Sequence, residues 1–183
     1  MSSPRPRPST RLLFVLAAVA VALLGLITPA TAGEPYCGIT WGSTPERAGG
    51  PGGPDTPTVT GVRSGQHACF DRLVLDLAGA PGAAYSVRYV DVVRQDGSGF
   101  PVPLRGGAFL QVIVQADGSA LGNDAELVDT TGYATFRQVA SAGFFEGQTT
   151  LGVGVRAHLP FRVFTLAGPG TGGRLVLDVA HRW

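Results

Sequence analysis

Six arginines, Arg63, Arg88, Arg105, Arg137, Arg156 and Arg162, fall in or beside segments that read as extended chain. A guanidinium presents a planar fork of donors that matches carboxylates and phosphates, so strand arginines can build an anion-binding surface. Tyr85, Tyr89, Phe144, Phe145 and Trp183 add flat rings of the kind that cover sugar faces. The chemistry on offer is recognition of an acidic, sugar-rich polymer. Arg88 is out of phase with Val87 and Tyr89 and points to the opposite face of its strand. The candidate ligand-binding residues are Arg63, Arg88, Arg137, Arg156, Arg162 and Phe145. For each arginine the competing role is pairing with one of the 13 acidic residues, and for each aromatic it is core packing. In Phe144-Phe145-Glu146-Gly147-Gln148 two adjacent rings point to opposite sides if the chain is extended. One is then an exposed contact patch, or a bulge buries both.

Bond-breaking chemistry finds less support. His67, His158 and His181 stand in no His-x-x-Glu-His or His-Glu-x-x-His arrangement, so turn and edge histidines are the reading favoured over a metal site. Ser43, Ser64, Ser86, Ser98, Ser119 and Ser141 occupy no G-x-S-x-G or S-x-x-K context that would supply a base. Asp71 and Asp76 flank Arg72 and read as partners in cross-strand ion pairs, while Asp124, Glu126 and Asp129 sit in a loop. Gly168 to Gly173 lacks the Gly-Lys-Ser/Thr and the helix of a phosphate loop, and reads as a hairpin turn. No catalytic residue, metal ligand or cofactor is assigned.

The elements that must position these residues are strands. Candidates lie at 59–64, 70–77, 85–93, 108–116, 135–141, 149–156, 161–167 and 173–180, separated by Gly/Pro turns. Leu73, Leu75 and Leu77 alternate with Arg72, Val74 and Asp76; Leu175, Leu177 and Val179 alternate with Arg174, Val176 and Asp178. Each set describes a strand with one buried face. The two halves also match in order. Val62-Arg63-Ser64 falls on Val139-Ala140-Ser141, Leu73/Leu75/Leu77 on Leu151/Val153/Val155, and Tyr85-Ser86-Val87 on Phe161-Arg162-Val163. Phe109 to Ile113 then corresponds to Leu175 to Val179. The expected fold is all-β, a sandwich of two pseudo-symmetric four-stranded units, with residues 117–132 as an exposed connecting loop.

Gly and Pro number 27 and 14 of 183 residues, which argues against long helices, while a 44% hydrophobic content argues against disorder. Residues 1–11 carry three arginines and no acid, and Leu12 to Ile27 is apolar but for Gly25. Ala30-Thr31-Ala32 completes the plan of a secretory signal peptide, residues 1–32, cut between Ala32 and Gly33. An uncleaved anchor is the rival, but an apolar run of 16 falls short of the ~20 residues that span a bilayer. No stable membrane span is expected after cleavage. The remaining chain has 11 arginines against 13 acids, so no basic field exists to recruit nucleic acid. Residues 33–57 read as an arm and a Pro/Gly-rich linker, of which Thr44 to Pro57 is too poor in apolar residues to order itself, and 58–183 as the domain. In an exported chain Cys37 and Cys69, the only two cysteines, are expected to pair and pin the arm. Two free thiols is the alternative.

Val62 to His67 followed by Phe70 to Leu77 resembles the opening of an AMIN domain. So does Leu159 to Leu166 leading through Gly168-Pro169-Gly170 to Arg174 to Val179. With the arm Cys37 to Ser43 and the segment Phe145 to Thr150, the chain is similar to AMIN-like exported proteins of high-GC Gram-positive bacteria. The resemblance implies a non-catalytic β-sandwich of two symmetry-related sheets in a secreted, wall-associated protein. Its implied partner is peptidoglycan or an attached wall polymer, with an envelope protein as the second reading.

Overall fold

The computed structural model describes residues 35–50 and 56–183; the leader with its Ala32/Gly33 junction, and linker residues 51–55, lie outside the described residues. Nine strands follow in order: β1 (Glu46–Ala48), β2 (Thr58–Gln66), β3 (Phe70–Ala78), β4 (Tyr85–Val90), β5 (Ala108–Val114), β6 (Phe136–Phe145), β7 (Gln148–Val155), β8 (Phe161–Ala167) and β9 (Gly173–Ala180). They form two antiparallel sheets, β1-β4-β5-β7-β6 and β2-β3-β9-β8. Between the sheets Leu73, Leu75, Leu77, Leu175, Leu177 and Val179 meet Val87, Leu110, Val112, Val114, Leu151 and Val153, all buried. The predicted all-β sandwich is the fold.

The internal repeat is written into the strand ladders. Exchanging β2–β5 for β6–β9 converts the order β2-β3-β9-β8 into β6-β7-β5-β4, which is the other sheet without β1. Each unit therefore gives one hairpin to each sheet. Val62 pairs with Leu75 as Val139 pairs with Val153, and both hairpins carry a bulge at the same point, between Val59 and Gly61 and between Phe136 and Gln138. One correspondence is corrected. Leu75 opposes Leu175 while its counterpart Val153 opposes Leu110, so Leu110, not Phe109, is the counterpart of Leu175. The expected match is off by one residue, and a slip of one turns every side chain to the wrong face.

Segments outside the repeat close the two open sides of the sandwich. On one side the arm bridges the sheets: Gly42 exchanges backbone hydrogen bonds with Phe161, β1 pairs with β4, and the Glu46 carboxylate accepts the Val163 N–H at 3.0 Å. A stretch expected not to order itself thus gains a strand from an adjacent edge and a side-chain acceptor. On the other side, residues 117–132 are the mostly exposed connection expected, but they are tied to the sandwich. Leu121, Leu127 and Val128 pack on the core, Thr130 is buried, and backbone hydrogen bonds run to Val59, Val139 and Ser141.

A third segment, residues 91–107, folds over the outer face of the five-stranded sheet. The strand expected to run to residue 93 ends at Val90; Val93 turns inward and is buried, and Asp96 donates its N–H to Ala142. The approach is close because β7 offers glycines there. A Cβ on Gly152 would lie 2.7 Å from Leu104, and one on Gly154 would overlap the Arg105 carbonyl oxygen.

Candidate functional site

The outer face of β2-β3-β9-β8 lacks such a loop among the described residues, and it begins from a repeated pentapeptide. Arg-Leu-Val-Leu-Asp occurs at 72–76 and again at 174–178, and the two copies pair antiparallel. The leucines enter the core. Arg72 then opposes Asp178, Val74 opposes Val176, and Asp76 opposes Arg174. Arg63 on β2 and Arg162 on β8 share that face, because they oppose Val74 and Asp178. Four arginines and two aspartates leave an excess of two positive charges on one sheet face, although arginines and acids balance, ten to ten, over residues 58–183.

Asp178 is the centre of the cluster and is fully buried. Arg72 donates to it side-on, Nε to Oδ1 at 2.6 Å and Nη2 to Oδ2 at 2.9 Å, and Arg162 donates from Nε to Oδ2 at 2.9 Å, its Nη2 making an ion-pair contact with the same oxygen at 2.8 Å. The bond to Asp178 raises the Arg72 pKa further above its ordinary value. One carboxylate between two guanidiniums leaves a net charge of +1. On both arginines Nη1 is free of protein partners among the described residues. Three rings surround the pair: the Arg162 guanidinium carbon lies 5.5, 5.6 and 5.2 Å from the centroids of Trp41, Phe70 and Phe164, and that of Arg72 lies 5.1 Å from Phe70. Trp41 comes from the arm, held by the Cys37–Cys69 disulfide and by its Nε1 donation to the Tyr36 carbonyl at 2.9 Å. The expected disulfide is present.

Farther along the same face Arg63 donates to Asp76 through Nε and Nη2, at 2.6 and 2.7 Å. That bond holds the Asp76 carboxyl below the usual carboxylate range, which accords with its expected place in an ion pair. Asp71, expected to be a second such partner, does something else. It is fully buried, and accepts the Thr135 and Phe136 N–H groups at 2.6 and 2.8 Å and His181 Nε2 at 2.9 Å, tying β3, β6 and the chain beyond β9 together.

The other candidate arginines are not gathered here. Arg137 donates to the carbonyls of Tyr133, Ala134 and Phe136, clamping the chain at the β6 bulge. Arg156 donates to the His181 carbonyl, and Arg105 pairs with Glu126 across residues 91–107 and 117–132. Arg88 donates to Gln111 at 3.1 Å on the outer face of the five-stranded sheet. Phe145 closes the β6–β7 hairpin, where Glu146 and Gly147 have φ of 48° and 80°, the positive pair that a tight two-residue turn needs. Phe144 and Phe145 are 37% and 51% exposed, so of the two readings the buried bulge is overturned, and both rings rather than one are exposed. Among the described residues no group of three or more His, Cys, Asp or Glu could hold a metal ion.

The family model described as "AMIN-like domain" matches residues 57–181. The chain belongs to the AMIN-like family. No curated protein and no solved structure matches it. The AMIN-like match runs from the start of β2 to just past β9, so it spans both repeats and excludes the arm that carries Trp41. AMIN-like domains are in general non-catalytic binding modules of exported cell-envelope proteins, and a paired Cys37 and Cys69 accords with that compartment.

Sequence reasoning placed Arg162 among the ligand residues but missed Arg72, Trp41, Phe70 and Phe164. The signal was available in the identical pentapeptides: paired antiparallel, they must set Arg beside Asp at both ends of the ladder.

Proposed function

We propose that this AMIN-like domain is a non-catalytic wall-binding module, and that its ligand is an anionic segment of peptidoglycan or of an attached wall polymer. The carrying observation is the Arg72–Asp178–Arg162 cluster ringed by Trp41, Phe70 and Phe164, on the outer sheet face that residues 91–107 do not cover. Asp178 orients the two guanidiniums through their Nε/Nη2 edges and leaves Nη1 of each for a carboxylate or phosphate oxygen. The rings lower the local dielectric and offer apolar surface to the ligand's sugar. Divergence of the repeats gives the choice of face a physical basis. Gly152 and Gly154 occupy the positions of Val74 and Asp76 in the other sheet, and only the glycines admit a covering segment.

Co-sedimentation of the oxidised protein with purified peptidoglycan, with and without attached polymers and at low and high salt, tests this reading. Saturable pelleting that weakens with salt and with Arg72→Ala or Arg162→Ala is expected. Protein that stays in the supernatant under every condition removes the proposal.

The second reading is an envelope protein partner. It is favoured by Phe100, Phe144 and Phe145, which are 68%, 37% and 51% exposed on the β6–β7 hairpin and the neighbouring loop. Strand addition at a sheet edge fits less well, because the arm and residues 117–132 already pair with edge strands.

A further inference from the structure

We infer a second binding site, for a neutral pyranose, at the end of the sandwich where β4, β5 and the β7–β8 turn meet. A cleft of about 500 Å³ opens there between Tyr89, Asp91, Phe109 and His158, a volume suited to a small ligand. Its wall is a ring stack: the Tyr89 and His158 centroids are 3.7 Å apart, with 25° between the planes. The stack is anchored from below. Tyr89 Oη donates to the Leu159 carbonyl at 2.7 Å and accepts the Leu159 N–H at 2.9 Å, and burial pushes its pKa up to about 12, so it stays a neutral donor. Phe109 and His158 complete the aromatic lining; Trp183, 71% exposed, does not line the cleft but is tied to the same turn by Nε1 donation to the His158 carbonyl at 3.2 Å, so its indole N–H reports on that turn.

The lining decides the ligand class. No arginine borders the cleft, and its one carboxylate, Asp91, makes no side-chain hydrogen bond or ion pair among the described residues. An anion would meet that carboxylate unpaired. A neutral sugar ring instead offers an apolar C–H face to the aromatic surface and a rim of hydroxyls to Asp91. The site shares no residue with the arginine face, so either can exist without the other.

The test is an NMR titration of the oxidised protein with chitotetraose and, separately, cellotetraose, following the two indole N–H signals, with Trp183→Phe to assign them. A saturable shift of the Trp183 signal, reporting on the His158 turn, is expected, with affinity falling about two- to tenfold in His158→Ala, since ring stacking is worth about 0.5–1.5 kcal/mol. Asp91→Ala is expected to weaken binding several-fold, and Arg162→Ala to leave it unchanged. No shift up to about 10 mM of either sugar, a weaker regime than millimolar recognition, overturns the inference. So does a shift that survives His158→Ala unaltered. Loss of wall pelleting with the sugar response intact would sink the anionic-face reading alone, and the converse result would sink this one alone.

Discussion

Replacing Asp178 by Asn separates stability from binding, because the two respond with opposite signs. The carboxylate is fully buried and accepts from both Arg72 and Arg162. Removing one partner of a buried ion pair costs about 3–5 kcal/mol when the charge left behind stays dry. Here the orphaned guanidiniums are 26% and 32% exposed, so water recovers part of that, and a loss of about 2–3 kcal/mol remains. With a urea slope of about 2 kcal/mol per M, the midpoint falls by about 1–1.5 M, and the thermal midpoint by about 4–12 °C. The same change takes the cluster from +1 to +2 and removes the internal anion that competes with a ligand. At low salt, pelleting with wall preparations therefore tightens several-fold in Asp178→Asn, and the gain disappears at high salt. An unchanged urea midpoint would refute the role of Asp178 as the organising group. Low-salt binding that does not respond to the change in charge would refute the assignment of both arginines to the ligand.

Joint replacement of Cys37 and Cys69 by Ser opens a loop of 32 residues' separation and lowers stability by about 3–4 kcal/mol in the chain-entropy model, read from urea melts. Weaker wall binding should accompany it, because Trp41 loses its tether. The pH dependence has two limbs. Burial pushes the Glu46 carboxyl above its ordinary value of 4.5, against the opposing Val163 hydrogen bond, so the folded state holds that proton more tightly than the unfolded chain. Its contribution to stability is full below pH 4.5 and falls as pH rises through the raised value. Glu46→Gln shrinks that fall, leaving the part due to Asp96, which burial also raises. Asp76, held low by Arg63, gives the reverse limb, stabilising above its ordinary 3.8 and losing that contribution as pH drops below it; Asp76→Asn shrinks this limb, leaving the part due to Asp117 and Asp129, which hydrogen bonds from Ser119 and Thr131 also hold low. Gly154→Ala drives a Cβ into the Arg105 carbonyl and lifts residues 91–107 from the sheet, costing about 1–3 kcal/mol and opening that segment to limited proteolysis.

How far the sequence carried is clearest at particular residues. Alternation of Leu73, Leu75 and Leu77 with Arg72 and Asp76, and of Leu175 and Leu177 with Arg174 and Asp178, shows a period of two and thus which residues face inward; the repeat was legible because Leu151, Val153 and Val155 follow the same spacing, and the ladders add a shared bulge position. The slip at Phe109 arose because Phe109, Leu110, Val112 and Ile113 are all apolar, so hydrophobicity alone does not choose the inward pair. Only the ladder with β7 does. Strand β1 was illegible because Glu46-Arg47-Ala48 has no apolar stripe and is extended by pairing with the β4 edge. Residues 117–132 are mostly exposed as read, but their anchoring was illegible for the same reason: single apolar residues at Leu121, Leu127 and Val128 reach the core without any period. Among the arginines, composition could not distinguish Arg162, which faces an aromatic cluster, from Arg137, which is occupied by three carbonyls. That difference lies wholly in tertiary geometry.

The central claim is that the outer face of β2-β3-β9-β8 is the binding surface. It is tested most directly by NMR shift mapping on the oxidised, isotope-labelled protein as soluble wall fragments carrying free carboxylates are added. The account predicts shifts concentrated on Arg72, Arg162, Phe164, Trp41 and their ladder neighbours, abolished in the Arg72→Ala/Arg162→Ala double variant. Shifts centred on Arg88 and the five-stranded sheet, or fragments that move no signal on the arginine face, would contradict it.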